Sequence, residues 1–539
     1  MSAQGNRYPA ANPPNVADGW RFERVTPPSR LFGANGLRTG PDGRIYVAQV
    51  SGSQISAVDL ATGEVQAVSP KGGDIVAPDD VAFGPDGTLY ATEVMDARVS
   101  ALDARGRTQV LRDDIPLANG ITVHQGRLFV GEFREGGRLL ELDLNGGEPR
   151  VLLEDVPSPN AIEVGPDGML YFPVMGANEI WRVGLDGADA RSKKGGATAQ
   201  TVAADLGGPT AVKFDSDGFI VSTQVASGQV LRIDPRNGQR TVLAALTPGL
   251  DNLTFAGDRV YVSNFTGEIT EISHSGEARS LIPGGFNWPL DLAIGEDGQL
   301  YIADGPYFYV LAADGTLDTV AMLFSPGYPG YLRGLASSGP GEFVATTSSG
   351  DVSRYRPAAS ETEVLADGFD QLYGIAIGPA GIVFAELGTG RVHSLRSGNR
   401  ETLASGLQDP VGVAFEPDGH VLVAESGGGR VARVTSSGTE TVVAELHRPQ
   451  GILVLNGRLY IVDAGAREVV EADLITGTRR TIASGLPIGP PPGVVAKPLK
   501  GLPPFSGPQG PFAGITAGPD GTLFVSADGD GSIVALRRT

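Results

Sequence analysis

Two six-bladed β-propellers in tandem, an all-β chain of twelve four-stranded blades, are predicted by a recurring sentence, its spacing and the length of the chain. The sentence reads most plainly in PDDVAFGPDGTLYATE (78–93), PNAIEVGPDGMLYFPV (159–174) and DPVGVAFEPDGHVLVAE (409–425). Each copy holds a short apolar strand, a Gly/Pro/Asp turn and a Tyr/Val-rich strand, then a third strand and a closing strand such as TQVL. The first residues of the twelve inner strands are Asn35, Asp79, Asn119, Asn160, Thr210, Asp251, Leu290, Arg333, Tyr373, Val411, Gln450 and Ala513. Apart from two longer intervals they stand 38 to 44 residues apart. That is the period at which four-stranded sheets repeat radially around an axis.

A chain of 539 residues exceeds one ordinary core, and twelve blades divide into two rings of six. The formal charge of −20 argues against a surface that tracks phosphates, so nucleic acid is not expected as a partner. There is no cysteine, hence no disulfide framework and no thiolate chemistry. The opening MSAQGNRYPAANPPNV has no apolar run, and no stretch reaches bilayer-spanning length. The expectation is a soluble, cytoplasmic protein without a membrane partner.

The last unit ends at Thr539 after three strands, so its fourth strand must come from elsewhere. WRFERV (20–25) alternates like an outer strand and precedes the first complete unit. If each ring closes on its own first strand, this segment completes blade 6 and ARSLI (278–282) completes blade 12. The division is then a tail over 1–17, a first propeller over 18–277 and a second over 278–539. The rival closure carries the N-terminal strand across to the second ring. Either one removes a long unpaired edge. SKKGGATAQ (192–200) reads as a surface loop within blade 4, and the Pro/Gly-rich 484–511 as an arm, a lid or a binding loop.

Inner strands of a propeller begin at one face of the channel, so the marker residues form two rings around two mouths. The first ring, Asn35, Asp79, Asn119, Asn160, Thr210 and Asp251, is polar and oxygen-bearing throughout. Carboxylates and amide carbonyls without nitrogen or sulfur suit a hard divalent cation, calcium before zinc. Ordered water is the plainer occupant. Two carboxylates crowded into one channel favour the cation, because like charges otherwise have to protonate.

The Asn-Gly steps at Asn35-Gly36 and Asn119-Gly120, each followed by a Gly-bearing turn and an LYVA-like strand, resemble the gluconolactonase and senescence-marker-protein family of six-bladed propellers. That group is similar in architecture to strictosidine synthase and its repeats grade into NHL repeats. The resemblance implies one divalent ion in the channel, often calcium. It implies amide ligands at Asn119 and Asn160, and at Asp251 or Asp79 a carboxylate that also serves as base. The family's Glu has no counterpart at any first-ring marker. The ligand set read here is Asn35, Asp79, Asn119, Asn160 and Asp251, with Asp79 and Asp251 as catalytic candidates and Thr210 facing the substrate.

A second set of polar residues ends the second strands, among them Gln49, Glu93, Glu132, Gln224, Asn264, Asp304, Glu386, Glu425 and Asp463. Paired carboxylates at a mouth invite acid/base chemistry. Yet Glu93, Glu386 and Glu425 are followed five residues later by Arg98, Arg391 and Arg430, Glu132 by Arg138, and Asp463 by Arg467. Where the acid is an amide, as at Gln49 and Gln224, the arginine is Gln54 or Gln229. That covariation within the chain predicts scaffold ion pairs across a hairpin. Glu93 and Glu132 stay as substrate-contact candidates because they adjoin the polar ring. The five histidines form no dyad; three lie in turns, His393 lies on a third strand and His447 precedes an inner strand.

Around the second ring gather Phe286, Trp288, Tyr307, Phe308, Tyr309, Phe324, Tyr328, Tyr331 and Tyr373. Aromatics on loops fit a ligand pocket, a protein-docking surface or packing between the propellers. Trp288, Arg333 and Tyr373 are the substrate-contact candidates there. The leading reading is a metal-dependent hydrolase or lactonase of gluconolactonase type, calcium-dependent, acting on a small organic ester or lactone. Its alternatives are a lyase or cyclase on a natural-product-like substrate, and a non-catalytic NHL-type scaffold.

Overall fold

The computed structural model describes residues 7–8, 13–186 and 199–539. The expected loop at 192–200 falls for the most part outside them. Among the described residues the chain forms twelve antiparallel sheets of the expected kind, each ordered inner, second, third and outer strand. Blade 2 is representative, with Pro78–Phe83, Leu89–Glu93, Arg98–Leu102 and Thr108–Arg112. Its turn works as the GPDG sentence predicts. Asp86 Oδ1 accepts the Thr88 N–H at 3.1 Å, and Gly87 takes a φ of +83° that a side chain would resist.

Second and third strands are covered on both faces by neighbouring blades, which is why IYVAQ (45–49) and LYATE (89–93) are buried at every position. Outer strands such as Arg240–Ala245 face solvent and carry the polar residues. The core therefore lies between blades. Ala82, Tyr90 and Val99 of blade 2, for example, pack with Ile121, Leu128 and Val130 of blade 3.

Inner strands are stitched to one another where they begin. The N–H one residue past a marker donates to the next marker's carbonyl, as in Gly36 to Asp79 O at 2.7 Å and Ala161 to Thr210 O at 3.1 Å. A second-strand hydroxyl often adds a bond to the next blade's marker carbonyl, as in Thr92 Oγ1 to Asn119 O at 2.6 Å. This closeness is why Gly120 is glycine: a Cβ there would sit 2.4 Å from Asn160 O. The same bonds close both rings. Ser263 of blade 6 donates to Asn35 O of blade 1 at 2.6 Å. In the second ring the Gly514 N–H of blade 12 donates to Leu290 O of blade 7 at 3.0 Å.

Of the two closures open to the sequence, the structure adopts the crossing one. Ala278–Ile282 is the outer strand of blade 6, and Trp20–Arg24 pairs with the last strand, Ser532–Arg538, to complete blade 12. Residues assigned to a tail also contribute, since Asn15–Val16 adds a fifth strand to blade 11. The separate-closure division at 277/278 is corrected accordingly. Among the described residues one compact unit holds Arg7, 30–285 and 494–499, and the other holds Tyr8, 13–29, 286–493 and 500–539. The physical reason is the supply of strands. Blade 6 already owns four, whereas the three strands of blade 12 leave an open edge that Trp20–Arg24 covers. No helix among the described residues is long and apolar enough to cross a membrane.

Candidate metal and substrate site

The six first-ring markers stand where expected, at the starts of six consecutive inner strands, five of them buried and Asn35 half-buried. Their side chains divide into two groups. Asn35 Nδ2 donates to Asp251 Oδ2 at 3.2 Å, while Asn35 Oδ1 accepts the Val50 N–H at 3.1 Å. Burial lifts the Asp79 carboxyl well above the usual range, and the charges of Asp251 and Asp80 push it further in the same direction. Burial likewise raises Asp251 to about 7, against a hydrogen bond from Asn35 and with the Asp80 charge adding to the rise. Asn119 Oδ1 is buried with no hydrogen-bond partner.

The other two markers are partly committed to backbone. Asn160 Oδ1 accepts the Ala161 N–H at 2.8 Å, and the Thr210 hydroxyl bonds Thr223 Oγ1 at 3.0 Å and donates to Leu250 O at 3.2 Å. Thr210 is thereby a stitch between blades, which corrects its expected role as a substrate contact. The arrangement leaves two carboxylates that repel each other and one orphaned amide oxygen at a single mouth. That donor set fits a hard cation with Asp79, Asp251 and Asn119 as its main ligands, Asn35 orienting Asp251.

Below the mouth lies a network the sequence reading missed. Three residues past the markers stand Arg38, Ala82, Thr122, Glu163, Lys213 and Thr254. Glu163 accepts from both Arg38 and Lys213 at 2.7 Å, and Thr122 Oγ1 donates to its other oxygen at 3.3 Å. Burial alone would raise Glu163, yet the two cations hold it down at about 2. Lys213 is itself lowered, because burial and the Arg38 charge outweigh its two acidic neighbours. Asp80, one residue past its marker, accepts the Val81 and Ile121 N–H groups at 2.8 and 3.3 Å. The charges of Lys213 and Arg38 partly offset the rise that burial imposes on it. This plug gives the polar mouth a floor. Counting three residues on from each marker would have revealed it.

Glu93 and Glu132 have fully buried side chains and are held by arginines, Glu93 by Arg98 and Glu132 by Arg134 at 2.9 Å and by Arg138. The substrate-contact expectation for both is corrected on that ground. What unites the second-strand ends is a different bond. Most accept a backbone N–H from the loop some sixteen residues upstream that leads into the inner strand. Val76 donates to Glu93 at 2.6 Å, Phe32 to Gln49 at 2.8 Å, Gly207 to Gln224 at 3.0 Å and Gln408 to Glu425 at 3.0 Å. The predicted arginine pair forms at Glu425, with Arg430 Nε at 2.7 Å. It is replaced at Glu386, whose partner is the buried His393 Nε2 at 2.8 Å, and at Asp463, where Arg467 turns to Leu486 O.

In the second ring, Arg333 donates to Gly510 O at 2.5 Å and Pro508 O at 2.6 Å, and lies 4.6 Å from the centre of the Tyr373 ring. Tyr373 in turn meets Phe512 edge-on at 6.0 Å. The C-terminal part of the 484–511 arm thus seals this mouth, so Arg333 and Tyr373 anchor the chain itself rather than a ligand. Trp288 is buried, and its backbone N–H donates to Asp304 Oδ1 at 2.6 Å. Seven of the nine loop aromatics are buried, in pairs such as Phe286–Tyr309 at 5.2 Å, which corrects the open aromatic mouth. Glu416, Asp418 and His420 also lie close enough to share an ion. There Glu416 is bidentate to Arg433, and Asp418 caps its own turn through the His420 N–H at 3.2 Å.

Residues 19–266 match a family model described as SMP-30/Gluconolactonase/LRE-like region. That region ends in blade 6 and contains all six polar markers together with the Arg38–Glu163–Lys213 plug. The gluconolactonase-like likeness thus falls on the propeller that holds the candidate site. No curated protein matches the chain. Among solved structures, virginiamycin B lyase from Staphylococcus aureus is 16% identical with a TM-score of 0.38, over 53% of this chain and 96% of that one. A gluconolactonase from Xanthomonas campestris is 16% identical with a TM-score of 0.38, over 47% and 93%. A nidogen/laminin complex is 19% identical with a TM-score of 0.39, over 44% and 93%.

Proposed function

We propose that the first propeller is a metal-dependent hydrolase acting on a small organic ester or lactone, with a divalent cation, calcium by preference, at its polar mouth. The observation that carries this reading is the mutual repulsion of the buried Asp79 and Asp251, with the unpaired Asn119 Oδ1 at the start of another inner strand of the same ring. Two buried carboxylates with no cationic side chain beside them among the described residues hold either a proton or a cation. A bound cation supplies Lewis acidity toward a carbonyl oxygen. The chain's own residues supply the rest. Asp251, oriented by Asn35, takes a proton from water and returns it to the departing alkoxide. The Arg38–Glu163–Lys213 floor confines a substrate to the mouth and keeps bulk water from entering from below.

The test pairs binding with turnover. Calcium titration by calorimetry on chelator-treated protein should show one site, which Asp79→Asn weakens at least tenfold. A panel of lactones and esters should give activity that chelation removes and calcium restores. Asp251→Asn should lose at least a hundredfold in kcat while the protein stays folded. Turnover that survives chelation, or that Asp251→Asn leaves intact, overturns the reading.

A further inference from the structure

The second propeller repeats the first with one element exchanged. Asp291 stands one residue past its marker, as Asp80 does in the first ring. It makes the same two bonds, accepting the N–H of Leu292 at 2.9 Å and of the next inner strand's Leu335 at 2.9 Å. In the first ring Arg38 and Lys213 reach over from positions three past their markers and balance the Asp80 charge. The equivalent positions of the second ring are Ala293, Ala336, Ala376, Ala414, Leu453 and Thr516. None carries a charge. Among the described residues no cationic side chain balances Asp291, which is buried and raised to about 7 by burial, partly offset by its two backbone donors.

Where the first ring has its plug, the second has space. A cavity of about 370 Å³ runs along the axis, lined by those six residues and by neighbours such as Ile375, Val413 and Phe512, with Asp291 its one titratable wall group. Arg333, Tyr373 and Phe512 shut the marker end through the arm carbonyls of Pro508 and Gly510. The channel is therefore blind above and open at the far ends of the inner strands. The volume falls in the range of small-molecule sites, and its lining side chains, mostly Ala, Ile, Leu, Val and Phe between stretches of polar backbone, converge on one carboxylate that can fix orientation.

We propose that this channel is a binding site for a small organic ammonium ion, which enters tail outward, sets its cationic group beside Asp291 and buries its apolar body against the alanine-lined wall. The ligand supplies the positive charge that Arg38 and Lys213 supply to Asp80 in the first ring. A carboxylate has lone pairs left after two backbone donors, so Asp291 can accept from an ammonium without giving up either. An inorganic cation would gain the charge but leave the alanine, leucine and isoleucine side chains of the lumen uncovered. A neutral alcohol would fill the lumen and leave the charge unbalanced.

Calorimetry at pH 8 on the full-length protein, with n-hexylammonium, 1-hexanol and ammonium chloride as probes, decides the matter. Hexylammonium should bind at one site at least tenfold more tightly than either of the others. Asp291→Asn should remove that preference while leaving hexanol affinity within twofold, and Ala376→Phe, which fills the lumen, should abolish hexylammonium binding. The comparison of the three probes needs no variant, so it stands even if a substitution prevents folding. Equal affinity for hexanol, equal affinity for ammonium chloride, no binding of hexylammonium, or hexylammonium binding that survives Ala376→Phe in folded protein each overturns the proposal. Calcium titration of the first-ring mouth is independent of all four results.

Discussion

Asp79 and Asp251 are costly to bury side by side, and the cost has a sign that can be measured. With its folded value at about 7 against roughly 3.9 in an unfolded chain, Asp251 binds its proton more tightly in the native state. Its stabilising contribution is fully present below pH 4 and is lost as pH rises through 7. Asp79, raised well above the usual range, loses its share at the high end as well. Chelator-treated protein should accordingly melt a few degrees lower at pH 8 than at pH 5.5, since about 1 kcal/mol moves a domain of this size by roughly 2–4 °C. Calcium should restore most of that loss at pH 8 and little of it at pH 5.5. Asp251→Asn should shrink the pH dependence, and because Asp291 and His393 are unchanged in that variant, the difference between the two proteins isolates the mouth. The polar ring was legible in the sequence because its residues fall on the repeat's own marker. Which members stay available was not legible: Thr210 and Asn160 spend oxygen atoms on backbone groups that only the stacking of neighbouring strands brings within reach.

Inner strands carry the site and second strands aim it. The acid or amide at the end of a second strand clamps the loop that delivers the next marker, so Glu93 governs the approach to Asp79 through the Val76 N–H. Covariation with Arg98 and Arg138 made the scaffold role readable, but the loop clamp was hidden, because its donors are backbone groups and leave no letter in the sequence. Glu93→Gln keeps an acceptor and should leave lactone or ester turnover within a few fold. Glu93→Leu strands a buried N–H and should cost about 1–3 kcal/mol in urea unfolding. A large loss of kcat in Glu93→Gln at unchanged stability would restore the acid/base role. The floor obeys a harsher rule. Glu163→Gln leaves Arg38 and Lys213 buried with Asp80 as their nearest counter-charge, an expected loss of about 3–5 kcal/mol, and Glu163→Gln combined with Lys213→Met should recover part of it.

At the scale of the whole chain, the repeat period fixed the number of blades and the division into sixes, whereas the path that closes them was left open by two strands of similar character. Closure was decided by arithmetic along the chain: four strands were already committed to blade 6 and three to blade 12. The consequence is that the second compact unit takes its strand Trp20–Arg24 from ahead of residues 30–285 of the first in chain order. Trp20 is the residue through which that strand holds, buried against Tyr460 edge-on at 6.2 Å and covered by the Arg538 guanidinium at 4.6 Å. Removing a side chain of that size from a packed site costs about 3–5 kcal/mol. The loss should fall on the second unit alone, since every contact Trp20 makes here belongs to it. Scanning calorimetry of Trp20→Ala should therefore show two separated transitions, the lower one indifferent to calcium and the upper one still raised by it. A single transition shifted downward as a whole would mean that the units unfold together, and that the N-terminal strand stabilises both.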